Sequence, residues 1–437
     1  MEGSIGFRLP RVCLPRPGID LRKWAVVACD QYTSEPAYWQ RVAQEVGDAP
    51  STLHLIFPEA YLGAADAAAR IERIQQTMHR YLADGLFVEH AGAVYVERTV
   101  GGRTRRGLML ELDLEHYDFR PGSTSVIRPT EGTMVARLAP RIEVRRGAPL
   151  ELPHILVLID DPRQTVIEPL GAVRAALPRL YDTDLMGGGG NVAGFALDDA
   201  QAARAQQALR ALADPQAFAQ RYGVPPDTPP LLFAMGDGNH SLATAKSIWE
   251  RAKASVGMDH PSRYALAEVV NIHDPALDFA PIHRLLFGVT VDVRAALTQV
   301  FGARVTCTEV PSAAALRERV ATAAGGVSQC AGLIGPAARY SVIEITEPPS
   351  TLAVGTWQPF IDGLIERGGV REVDYVHGDE VLERLAQHDG CVGVHFAGIG
   401  KSELMRRVVH DGPTPRKTFS MGEAHEKRFY VEARRIA

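Results

Sequence analysis

Apolar positions along this chain keep two rhythms, and their alternation outlines an α/β protein. Short uninterrupted apolar runs at Trp24–Cys29, Ile155–Ile159, Leu231–Met235, Ala265–Val270 and Val392–Phe396 predict strands buried on both faces. Apolar residues three and four apart predict helices: one from about Pro36, one over Ala64–Asp84, one over Asp198–Leu212, and later ones at Arg294–Phe301, Ala313–Ala324 and Gly378–Gln387. Alternation at Val94 and Val96, then at Leu108, Leu110 and Leu112, predicts a hairpin turning at Gly101 and Gly102. The run Asp182–Asn191, with glycines at 187–190, is expected to be a flexible loop, either a lid or a linker. From about Gly288 strands and Ala-rich helices alternate more tightly. The chain is therefore expected to divide into a larger unit, residues 1–287, and a smaller α/β domain, residues 288–437, whose last segment is free to return to the pocket.

The densest candidate chemistry follows the run Leu231–Met235. Gly236, Asp237 and Gly238 break the strand, and a helix is expected to begin near Ser241, with Leu242, Ala245, Ile248 and Trp249 on one face. A strand, a glycine corner and a helix N-terminus together make an anion site, because free amides and the positive dipole end converge there. Asp237 adds a carboxylate suited to a metal, and His240 an imidazole suited to a phosphate oxygen. The plainer reading of the same residues is a tight turn with Asp237 or Ser241 capping the helix.

Composition narrows the function classes. The 437 residues are 46% apolar and 23% charged, an ordinary globular balance, and the formal charge of −5 gives no general pull toward nucleic acid. No apolar run reaches membrane-spanning length, and the N-terminus shows no basic-then-apolar leader pattern. The five cysteines are scattered and never in a C-x-x-C pair, which fits a reducing cytoplasm and argues against a zinc or disulfide framework. There is no G-x-S-x-G and no H-E-x-x-H. Gly398–Ser402 only echoes a phosphate-binding loop and is expected to be a strand-to-helix turn.

Three further segments carry candidate groups. Glu131 lies between hydroxyls in Thr130-Glu131-Gly132-Thr133, after Arg128 and ahead of Arg137, Arg141 and Arg145. It is either a structural ion-pair partner or a positioned base among anion-binding guanidiniums. His283 and Arg284, shortly after the end of an apolar strand, are either an ion-paired connection or a phosphate grip. Lys417, Lys427 and Arg428 are either surface charge or part of a tail that folds back.

Together these blocks resemble the family catalogued as domain of unknown function 1015. The resemblance rests on Gly236–Ser241, on Asn271, Asp274 and Pro281–Leu285, on Arg128–Thr133 and on Pro415–Phe419, and it spans nearly the whole chain. Many relatives carry Asp-Gly-His-His-Arg at the corner, where this chain has Asp237-Gly238-Asn239-His240-Ser241. That corner is similar to one in free-serine kinases of the ParB/sulfiredoxin superfamily. The resemblance implies a ParB/sulfiredoxin-like N-terminal unit in a mixed α/β fold. It implies phosphoryl transfer between ADP or ATP and a small hydroxylated metabolite, serine or phosphoserine, with Mg2+ as cofactor. Glu131, Asp237 and His240 would then be catalytic, with Asp237 also the metal ligand. Gly236, Gly238, Asn239, Ser241, Arg128, Arg137, His283, Arg284 and Lys417 would hold phosphate or nucleotide, with Arg284 or Arg137 standing in for the missing corner arginine. A phosphatase and a non-catalytic nucleotide-binding switch remain alternatives. The expected partners are a nucleotide and a small molecule rather than nucleic acid or membrane, and self-association is left open.

Overall fold

The computed structural model describes residues 5–135, 138–323, 328–415 and 417–437. These divide into two compact units, one running to Leu277 and taking in Gly422–Ala437, the other spanning Asp278–Met421. The expected junction at 287–288 falls at the end of a strand, Phe279–Phe287, that lies wholly in the second unit and hydrogen-bonds to its strands, so the boundary precedes this strand rather than follows it. Both units are mixed α and β.

The first unit is built on a nine-stranded sheet with both parallel and antiparallel pairs. Its order is Ile127–Arg128, Phe233–Asp237, Leu156–Ile159, Tyr264–Asn271, Arg103–Asp113, Val94–Val100, Asn191–Ala196 and Arg179–Asp184, with Phe7–Arg8 also on Arg103–Asp113. Strand alternation sends side chains into two apolar layers. Ala265, Ala267, Leu108 and Leu110 face the layer that holds Leu242, Ala245 and Trp249 of the long helix Asn239–Val256. Leu266 and Met109 face the other layer, where Phe429, Tyr430 and Val431 of the final segment pack.

That final segment explains one departure from the predicted strands. Trp24–Ala28 is buried and Cys29 half-buried, yet the run forms no ladder: Leu21–Trp24 is a short helix, and Val27 makes a single bridge to Phe429. Its backbone is satisfied from the far end of the chain, with Ala28 N–H donating to the Arg428 carbonyl and Tyr430 N–H to the Val26 carbonyl, both at 2.9 Å. The expected loop Asp182–Asn191 is also corrected. Arg179–Asp184 and Asn191–Ala196 are paired strands, and Gly187, Gly188 and Gly190 supply the positive φ angles of the turn between them. The predicted hairpin at Gly101 and Gly102 stands, with both glycines at positive φ.

In the second unit the sheet is antiparallel throughout: Val305–Val310, Arg339–Ile345, Gln329–Gly335, Cys391–His395, Phe279–Phe287 and Glu372–His377, with Phe419–Met421 also on Phe279–Phe287. Gly398–Ser402 leads into the helix Lys401–His410, the plain turn expected. Among the described residues no helix is long and apolar enough to cross a membrane.

Candidate functional site

The strand Phe233–Asp237 ends on Gly238, which takes a left-handed φ of 76° and starts the helix two residues earlier than the sequence suggested. Only glycine fits, because a Cβ there would meet the backbone Cα of Ile155 at 2.9 Å. The first helical bond runs from Leu242 N–H to the Gly238 carbonyl at 3.0 Å, and Gly238 at the N-cap has no side chain with which to cap the first turn. The amides ahead of Leu242 thus have no intrahelical acceptor and point out of an eighteen-residue helix at its positive end. Gly238→Ala is expected to distort this corner and weaken anion binding there. It combines a strained backbone of about 1–2 kcal/mol with a backbone clash. Sulfate or phosphate titration followed by amide NMR checks it, and unchanged affinity would contradict it.

Asp237 holds the corner's charge. Its Oδ1 accepts from Gly238 N–H at 2.8 Å, and its Oδ2 lies 3.1 Å from Lys427 Nζ. Burial pushes the carboxyl up, but Lys427, the more distant His154 and the Gly238 amide outweigh it and hold Asp237 below the usual carboxylate range. It is therefore ionised at neutral pH, and a phosphate beside it requires a cation, which Lys427 supplies.

The Glu131 loop is tied to the same corner. Thr130 Oγ1 donates to the Met235 carbonyl at 2.6 Å, and Asn239 Nδ2 donates to the Glu131 carbonyl at 3.3 Å. On the other side, Ser241 Oγ lies 3.0 Å from His154 Nε2. His154 Nδ1 is 2.7 Å from the Tyr430 hydroxyl, and Asp30 Oδ2 is 3.6 Å from His154 Nε2.

The structure thus brings Glu131, Gly236, Asp237, Gly238, Asn239, His240 and Ser241 together. Arg128 is a correction. It is buried, and its guanidinium donates to the carbonyls of Ser125, Thr124 and Pro229 at 2.6, 3.0 and 2.7 Å. Pro229 precedes the strand whose opposite end forms the corner, so the arginine reaches back along the strand. Burial lowers its pKa to about 10. Arg137 lies outside the described residues.

His283, Arg284 and Lys417 belong to the second unit. Arg284 is 0% exposed, with Nε on Gln358 Oε1 at 2.8 Å, Nη1 on the Ile282 and Lys417 carbonyls, and the ring of Tyr375 beneath it at 4.6 Å. A guanidinium so enclosed does not grip a phosphate; it holds the sheet to the segment around Lys417. His283 joins Asp379 and His395, whose ligand atoms lie within 4.8 Å of one another. This has the look of a metal triad, yet the outer nitrogens argue otherwise. Phe396 N–H donates to His283 Nδ1 at 3.2 Å, which leaves the ring proton on Nε2, 2.9 Å from Asp379 Oδ1. That nitrogen then has no lone pair for a metal, and His395 Nδ1 is buried without a partner to support ligation. The group is a carboxylate clamped by two imidazoles, which hold Asp379 far below its ordinary pKa.

Sequence reasoning left Lys427 out of the site and missed His154 and Tyr430. Lys427 looked like tail charge, and nothing in the local pattern around Pro153-His154 marks a site.

An αL glycine between a buried strand and a long helix, with an Asp–Lys pair beside it, makes this corner of the α/β fold a candidate anion site. Residues 13–355 match the model described as "Protein of unknown function (DUF1015)", and the chain belongs to that family. No curated protein matches it. Among solved structures it is similar to a free serine kinase in complex with AMP, at 11% identity and TM-score 0.39, covering 74% of this chain and 90% of that one. It is also similar to a conserved hypothetical protein from Pyrococcus furiosus, at 12% and 0.36, covering 72% and 90%. A third is SbnI with a C-terminal truncation from Staphylococcus aureus, at 13% and 0.34, covering 71% and 84%. Likeness at this level says nothing of activity.

Proposed function

We propose that the corner holds the phosphates of ADP or ATP and that the protein moves a phosphoryl group between that nucleotide and a small hydroxylated metabolite, with serine and phosphoserine the first to test. One observation carries the reading: the helix after Gly238 begins at the same corner as the Asp237–Lys427 pair and the Glu131 loop. Phosphoryl transfer asks for little else than positioned phosphates, neutralised charge and an aligned nucleophile. The helix amides and Gly236–Gly238 cradle the phosphate, Lys427 and His240 face its charge, and Glu131 accepts the proton of the attacking hydroxyl.

Asp237 suits Mg2+, a hard cation that commonly takes one or two carboxylates together with substrate phosphates. Its Oδ2 becomes available once Lys427 turns to the phosphate. Bound there, the ion would neutralise phosphate charge.

Phosphorus NMR tests the reading. Protein, magnesium and ATP with serine, or ADP with phosphoserine, should show phosphate passing between the ester and the nucleotide. Inorganic phosphate alone would point to a hydrolase acting through water; unchanged spectra at high protein concentration would remove serine and phosphoserine as substrates, and the absence of any ADP or ATP binding would end the phosphotransfer reading.

A further inference from the structure

Behind the His154–Ser241 contact lies a cavity of about 130 Å³. Its wall is largely apolar, with Ile56, Phe57, Met78 and Leu150 among its lining. The charges on that wall are already matched: Arg141 pairs with Glu59 and Arg145 with Glu151, both at 2.5 Å. One polar group is left over. Thr244, 2% exposed and part of the lining, has a hydroxyl buried without a hydrogen-bond partner. A buried hydroxyl without a partner is unfavourable, and a ligand group that meets it relieves the cost. Ser241 and His154 line the same cavity, and Ser241 is also the third residue of the corner helix. A ligand seated in the cavity therefore ends beside the anion corner.

We propose that this cavity binds the body of the phosphoryl acceptor, and that the acceptor is a compact neutral alcohol with an apolar body. The inference rests on the phosphotransfer reading of the adjoining corner. Size follows from volume: an apolar cavity of roughly 150 Å³ stays dry and takes benzene, so an acceptor body of about six to eight non-hydrogen atoms fits. Polarity follows from the wall. A zwitterionic amino acid brings two charges to a surface whose own charges are paired, whereas a neutral alcohol leaves both pairs intact and offers a hydroxyl to the one open polar end. The cavity thus ranks a branched or ring-bearing alcohol above serine.

Methyl and amide NMR of the full chain tests this with benzyl alcohol as the probe, serine and glycerol as comparisons, and ADP titrated separately. Saturable shifts at Ile56, Met78 and Leu150 with benzyl alcohol, absent with serine and glycerol, are expected. Ala148→Phe, which fills the cavity, should weaken the alcohol more than tenfold and leave the ADP shifts at Gly238 and Asn239 in place. Thr244→Val, nearly isosteric, should weaken it about 2- to 10-fold, the worth of one neutral hydrogen bond, and stands alone if the filled variant misfolds. ADP binding with no saturable alcohol shifts, or serine producing the same shifts, overturns the cavity assignment and leaves the corner reading standing. Alcohol binding without any ADP shift instead removes the phosphotransfer reading, and the acceptor role with it.

Discussion

Arg428→Leu is expected to lower the melting temperature by on the order of 10 °C and to expose the last sixteen residues to protease. Arg428 is buried on the second apolar layer of the first unit, where its Nη1 pairs with Glu268, itself 1% exposed, and its Nη2 lies 2.5 Å from Glu432. Its Nε donates to the Pro153 carbonyl at 3.0 Å. Arg105 reaches the other oxygen of Glu268 at 3.4 Å, and the Tyr181 hydroxyl donates to Glu432. Burial alone would raise the Glu268 carboxyl, but Arg105 and Arg428 outweigh it and keep it ionised. Removing Arg428 leaves Glu268 with the more distant Arg105 and Glu432 with the neutral Tyr181 hydroxyl, and breaking a buried ion pair in this way typically costs about 3–5 kcal/mol. For a unit of this size roughly 2–4 °C accompanies each kcal/mol. The consequence reaches the corner, because Arg428 follows Lys427 directly. A loosened tail withdraws the cation from Asp237, so phosphate affinity should fall together with stability. Calorimetry beside a phosphate titration reads both. A variant that melts like the wild type would show that this network contributes little.

Glu131→Gln should lower turnover on the order of 10²- to 10⁴-fold, the usual contribution of a general base, while nucleotide affinity stays close to wild type. The change keeps the shape of the side chain and leaves the Glu131 carbonyl free to accept from Asn239. Asp237→Asn should differ in kind. It removes the charge that Lys427 faces and that a metal would need, so metal-dependent nucleotide binding falls along with rate. Steady-state rates and calorimetric binding of ADP with and without magnesium separate the two. Wild-type turnover in a well-folded Glu131→Gln would reduce Glu131 to a structural residue, and the phosphate corner would then stand without it.

Much of the candidate site was legible in the chain. Gly238 sits between an apolar run and a helical repeat, and both signals are local: strand burial shows as continuity, helix packing as spacing, and the need for a left-handed residue as glycine. The Thr130–Glu131 block was legible as hydroxyls around a carboxylate, although its distance from the corner was not. Arg128, His283 and Arg284 misled for a shared reason. A basic residue near a strand end looks the same in sequence whether it faces a ligand or is enclosed by carbonyls and rings.

By itself, then, the sequence determined the mixed α/β class, the hairpin at Gly101 and Gly102 and the strand-glycine-helix corner, because each depends on residues a few positions apart. Only the tertiary structure decided that Lys427 meets Asp237, that His154 meets Ser241, and that Trp24–Cys29 is held by the chain's far end instead of a sheet. Those outcomes depend on where a long chain closes on itself. A charge or a buried backbone segment takes its partner from whatever the fold brings within a few ångströms, and local pattern carries no record of that.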